Sequence, residues 1–153
     1  MSNSRGGFTL VEMMAVVLIA AIVLTAGVPA LQGMVRRQRL IGAANDFFHA
    51  AHLTRATALR HGNDARMSPL NGDDWASGWK IIVNDQLVMT RPALAPGIAV
   101  RHHRGGAEIG YRANGLPRNS STWFFASGRT ERRVVINFLG RIRICDPAPK
   151  GSC

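Results

Sequence analysis

Arg141 and Arg143 are the residues whose type and spacing carry the most chemistry in this chain. At i and i+2 on a strand, two guanidinium groups leave the same face about 7 Å apart, close to the phosphate spacing along a nucleic-acid strand. Arginine's planar donor fork matches phosphate, and it is more weakly hydrated than lysine. Gly140 precedes the pair, and Arg129, Arg132 and Arg133 lie upstream, so a basic ridge over these residues is the expected binding element. The same spacing also fits a merely solvated strand face. Acidic polysaccharides or lipid headgroups would satisfy the same charges.

Other groupings are weaker. His49 and His52 share a helix face without a third ligand, and the adjacent His102 and His103 point to opposite faces of a strand. Asp73-Asp74 lacks the ligand spacing of a calcium loop. There is no Ser, His and Asp grouping for a triad and no glycine loop to cradle phosphate. Neither catalysis, a cofactor nor a metal is therefore expected. Cys145 and Cys153 bracket a short Pro-containing tail, and a disulfide between them suits an oxidising compartment. Trp75, Trp79, Trp123 and Phe124 could stack on bases, but as strand residues they are expected in the core.

Composition agrees with an anionic partner. The chain has 153 residues and a formal net charge of +10, with 19 basic side chains of which only Lys80 and Lys150 are lysines. Ten of those cations fall from Arg101 onward, against three acids, Glu108, Glu131 and Asp146. A GC-rich coding sequence would also enrich arginine, so the weight rests on position rather than on number.

The elements that must hold these residues follow from hydropathy. From Met13 to Val35 no side chain is charged, a run of 23 residues or about 35 Å of helix. That length crosses a bilayer. Glu12 sits near the start of the run, where an ionisable group is costly unless something pairs with it. The small residues Gly6 and Gly7 precede the apolar run, the reverse of a secretory signal peptide. Arg36, Arg37 and Arg39 follow it, and taken alone they bias the topology towards the opposite orientation from the one adopted below.

One helix is expected from Phe8 to about His61. Leu40, Ala44, Phe47, Phe48, Ala51 and Ala58 repeat at three- and four-residue steps, and Gly62 supplies the stop. Leu53 and Arg55 interrupt the pattern, Arg55 on the flank of the apolar stripe. Beyond Gly62, short β-prone runs alternate with Gly, Asn, Asp and Pro breaks and read as an antiparallel sheet. Expected strands are 64–68, 78–83, 86–91, 98–103, 108–112, 122–126, 132–137 and 141–145, with Asn84-Asp85 as a hairpin turn.

Around Gly140 the alternation fixes the register. A two-residue turn at Leu139-Gly140 would set Arg143 opposite Ile136 and mix charge into the apolar face. A three-residue loop with left-handed Gly140 pairs Asn137 with Arg141 and Val135 with Arg143. Val134, Ile136, Ile142 and Ile144 then share the core face, and both arginines face solvent.

The Gly7-Phe8-Thr9-Leu10-Val11-Glu12 start and the apolar run resemble the type IV pilin and pseudopilin superfamily. The Ala-rich second half of the helix, Gly78-Trp79 and Gly140-Arg141-Ile142-Arg143 look like the FimT/GspH group, FimT-like minor pilins in particular. The resemblance implies an α+β, pilin-like fold, with a long N-terminal helix, membrane-spanning in its first half, packed on an antiparallel β-sheet domain. It implies a cytoplasmic leader over 1–7, a transmembrane and assembly helix over 8–35, and a periplasmic globular domain over 36–153. It also implies prepilin peptidase cleavage after Gly7, N-methylation of Phe8, and Glu12 meeting the N-terminal amine of a neighbouring subunit. Pro29 sits where the family bends its helix. The Gly-Arg-x-Arg element implies sequence-independent capture of double-stranded DNA in natural transformation. Similar hairpins occur in type II secretion pseudopilins, so a structural or priming role among other pilins, with no DNA, is the alternative.

Overall fold

The computed structural model describes residues 9–103 and 105–146, apart from the side chains at positions 26, 29 and 30. Gly7, Phe8 and Cys153 lie outside the described residues. The chain divides into two compact units, Met1–Arg36 and Arg37–Cys153.

A single helix, α1 (Leu10–His61), supplies all of the helical residues described. It starts with a capping box: the Glu12 N–H donates to Thr9 Oγ1 at 3.3 Å, and the Thr9 N–H donates to Glu12 Oε2 at 3.4 Å. Glu12 therefore satisfies a free amide of its own helix, a local role that its sequence position did not reveal. The helix continues through position 29 without a break. In the first unit, apolar side chains such as Val17, Leu18, Val23 and Leu31 are exposed, and Thr25 satisfies its hydroxyl by donating to the Ile22 carbonyl at 2.8 Å. Among the described residues no helix is long and apolar enough to cross a membrane.

The second unit is built around the C-terminal part of α1. Leu40, Ala44, Phe47, Ala51 and Ala58 are buried as the periodicity predicts, and Ala43, Ala50 and Thr54 widen the stripe. The small side chains allow close approach of the strands. Thr54 tolerates burial because its hydroxyl donates to the Ala50 carbonyl at 2.8 Å. Gly62, with φ of +63°, follows the last helical turn in the left-handed conformation of a C-terminal stop.

The strands form two four-stranded antiparallel sheets rather than one. β1 (Ala65–Asn71), β2 (Asp74–Val83), β3 (Gln86–Arg91) and β5 (Ile109–Tyr111) lie in the order β3-β2-β1-β5. β4 (Ala99–His102), β6 (Ser121–Ser127), β7 (Thr130–Ile136) and β8 (Ile142–Cys145) lie in the order β4-β6-β7-β8. β1 runs past the expected end at Ser68, through Pro69. β5 pairs only with positions 65–67 of β1, so Pro69 has a partner strand on one side alone. The Asn84-Asp85 turn forms as expected, with φ of 48° and 58° joining Val83 to Gln86.

Phe47 is where helix and sheets meet. Its ring lies 5.1 Å from Trp75 and 5.3 Å from Trp79 of the first sheet, and 5.4 Å from Trp123 and 5.1 Å from Phe125 of the second. The indole N–H groups of Trp75 and Trp123 both donate to the Gly106 carbonyl, at 2.7 and 3.0 Å. All three tryptophans are core, as expected. Phe124 is the exception: the alternation of β6 buries Trp123 and Phe125 and turns Phe124 outward.

Candidate nucleic-acid interface

The β7–β8 hairpin adopts the register that the alternation predicts. Val135 stands opposite Arg143, Ile136 opposite Ile142 and Val134 opposite Ile144. Asn137 donates its N–H to the Arg141 carbonyl at 3.1 Å, and the Gly140 N–H returns to the Asn137 carbonyl at 2.9 Å. Gly140 has φ of +77°, the left-handed state that a three-residue loop needs there. Val134, Ile136 and Ile142 are buried, Ile144 is half-buried, and Arg141 and Arg143 are exposed.

Not every arginine upstream joins them. Arg133 lies on the Arg143 face of β7, half-exposed, its Nε donating to Glu131 Oε1 at 2.9 Å. Arg132 is one residue away and therefore on the other face, opposite Phe125, with its side chain 19% exposed and paired to Asp146 at 3.1 Å. Arg129 sits in the turn between β6 and β7, the far end of β7 from Gly140. Seven strand residues separate the two ends by about 23 Å. The expected ridge therefore reduces to Arg133, Arg141 and Arg143, because strand parity removes Arg132 and strand length removes Arg129.

The sheet adds a residue that linear order hides. Across β4, β6 and β7, Arg101, Phe124 and Arg133 stand side by side. The two guanidinium carbons lie 6.0 and 5.4 Å from the Phe124 centroid, and both arginines pair with Glu131, Arg101 at 3.7 Å. Phe124 thus forms an aromatic floor between two cations, a contact worth about 0.5–1 kcal/mol at an exposed site. Arg101 is 75% exposed at its side chain. The only sequence signal for it was its membership in the basic C-terminal third.

Arg55 explains itself here. The side chain that spoils the helix pattern reaches the hairpin, and its Nη1 donates to the Gly140 carbonyl at 3.0 Å. A Cβ on Gly140 would meet the Gly115 carbonyl and Pro117 Cδ at 3.2 Å and Arg55 Cζ at 3.4 Å. The turn is thereby fixed to α1 and to the 115–117 loop.

The weaker candidates have structural partners. His102 Nε2 is 2.9 Å from Asp73 Oδ1, and its Nδ1 is 2.8 Å from the His103 carbonyl. His49 and His52 rest against the Phe48 ring. Among the described residues no group of three or more His, Cys, Asp or Glu could hold a metal. A polar hollow of about 400 Å³ includes Asp64, Asp85, Arg66 and Arg118 in its lining. Four of its charges are paired: Arg118 with Asp64, holding that carboxyl below its usual range, and Arg66 with Asp85 at 3.4 Å.

Comparison with known proteins points the same way as the fold. The family model described as type II transport protein GspH matches residues 43–140, and the prokaryotic N-terminal methylation motif matches residues 2–28. Among curated proteins, none matches the chain. The minor pilin FimU of Pseudomonas aeruginosa superposes with a TM-score of 0.63 at 19% identity, over 71% of this chain and 89% of FimU. The minor pseudopilin EpsH of the Vibrio cholerae type 2 secretion system superposes with a TM-score of 0.58 at 14% identity, over 74% of this chain and 99% of EpsH. At these identities the likeness is one of fold.

Proposed function

This chain belongs to the GspH family of minor pilins and pseudopilins, and from that premise we propose that it binds duplex DNA without sequence preference, for uptake in natural transformation. The observation that carries the reading is the exposed Arg141 and Arg143 pair, held on one face of a hairpin whose turn is fixed by Arg55. Contacts of that kind are made to phosphates and position the duplex without reading its bases. Arg133 and Arg101 extend the cationic face across the sheet. Glu131, lying between them, keeps that extension only partly charged.

The same reading includes single-pass anchoring in the inner membrane by residues 8–35, with the globular unit in the periplasm, and assembly into a pilus. The uncharged stretch Met13–Val35 and the methylation motif support it. Cleavage after Gly7, methylation of Phe8, a Glu12 contact with a neighbouring subunit's amine, and a Cys145–Cys153 disulfide belong to it as well.

The test is the salt dependence of DNA binding by the full chain in detergent. If Arg141 and Arg143 each neutralise one phosphate, replacing both with Ala lowers the slope of log affinity against log salt by about 2. Unchanged binding by the folded double variant would overturn the assignment. The likeness to EpsH favours a second reading, a structural or priming subunit whose basic sheet packs on other pilins. In that case the wild-type chain gives no DNA shift even at low salt, and deletion abolishes assembly or secretion.

A further inference from the structure

The tip of the β7–β8 hairpin exposes apolar surface that the fold does not need. Phe138 is 75% exposed and Leu139 58% exposed. The backbone around them is held at Asn137, Leu139, Gly140 and Arg141. Asn137 Oδ1 accepts the N–H groups of Leu139 at 3.1 Å and Arg141 at 2.8 Å, and Arg55 fixes the next carbonyl. Apolar side chains on a backbone already ordered by folding form a preorganised binding surface, because less ordering cost remains to be met on association.

The charges around this tip narrow the chemistry of a partner. Arg141 is two residues from Leu139, and Arg143 follows in β8. No acid occurs between Asn137 and Cys145. The partner must therefore offer apolar surface and negative charge within one residue's reach of each other. Nucleic acid does so at every step, with a base face flanked by phosphates.

We propose that Phe138, with Leu139 beside it, stacks on bases of the DNA whose phosphates Arg141 and Arg143 hold. The proposal rests on the DNA reading of the hairpin and adds a base contact to it. Stacking requires a base face that is free or cheaply freed, so single strands and frayed ends bind more tightly than stiff duplex.

The experiment compares the wild-type full chain with Phe138→Ala and Phe138→Trp, each in nanodiscs of zwitterionic lipid. The probes are single-stranded and duplex oligonucleotides carrying 2-aminopurine. Phe138→Ala is expected to weaken single-strand binding about tenfold and to abolish the 2-aminopurine response. It leaves the salt slope unchanged, since no phosphate contact is lost. Phe138→Trp keeps both signals. The exposure of Phe138 makes a folding defect an inadequate explanation for the loss, and the Trp variant checks this directly. If Phe138→Ala retains full affinity and the fluorescence response while the arginine pair is still required, the base contact is refuted and the phosphate reading stands. Intact DNA binding with lost co-purification of pilin subunits would assign the tip to subunit packing and also refute it. A wild-type chain that binds no DNA removes both readings together.

Discussion

Tyr111 is the single tyrosine of the chain, and its hydroxyl is buried with no hydrogen-bond partner among the described residues. Burial pushes its pKa up to about 12, with the nearby Arg55 guanidinium pulling in the opposite direction. The folded state thus holds this proton more tightly than the unfolded chain, whose tyrosine titrates near pH 10. Stability from this group is complete below about pH 10 and is lost as pH rises through 10 towards 12. Ultraviolet titration of tyrosinate should therefore inflect near 12 in the folded chain and near 10 in denaturant; a folded inflection near 10 would contradict the burial. Tyr111→Phe should cost little stability at neutral pH, because it removes an unpaired hydroxyl rather than a bond. Arg55 belongs to the same neighbourhood. Its single misplaced charge on the helix stripe was visible in sequence, but its hydrogen bond to Gly140, 85 residues away, was not.

At the scale of elements, the outer face of the β4-β6-β7-β8 sheet decides how cationic the candidate interface is. Arg101 and Arg133 flank Phe124, and Glu131 neutralises part of both. Glu131→Gln removes one negative charge from this face, and for a phosphate bound about 10 Å from it the repulsion removed is a few tenths of a kcal/mol in water. At 0.01 M salt, where the Debye length is about 30 Å, DNA affinity by fluorescence anisotropy should rise about 1.5-fold. A fall in affinity would mean that Glu131 positions the arginines rather than masking them. Hairpin geometry was legible beforehand because register follows from alternation and loop length, both of them local. The partition of Arg132 from Arg133 follows from the same parity, and it was the proximity of the residues in sequence that concealed it.

For the molecule as a whole, Phe47 couples the two sheets. Four aromatic rings from both sheets lie within 5.4 Å of its centroid. Phe47→Ala should destabilise the globular unit by about 3–5 kcal/mol, read as a lower midpoint of denaturant unfolding. A loss below about 1 kcal/mol would mean that the sheets hold together without it. Because the basic face lies on the side of the β4-β6-β7-β8 sheet opposite the residues that pack on Phe47, such a variant should weaken DNA binding only when it unfolds. Measuring affinity below the unfolding midpoint separates the two effects.

The sequence alone determined the C-terminal limit of the helix, the Asn84-Asp85 and Gly140 turns and the outward pairing of Arg141 with Arg143. Each depends on interactions within a few residues, on periodicity and on which residues tolerate positive φ. Only the tertiary structure decided that the strands divide between two sheets, that Arg101 joins Arg133 across Phe124, that Arg129 stands a strand's length away, and that Arg55 holds the Gly140 turn. Those outcomes depend on which strands become neighbours. That choice is made by burying three tryptophans and Phe125 around Phe47, and local pattern does not encode it.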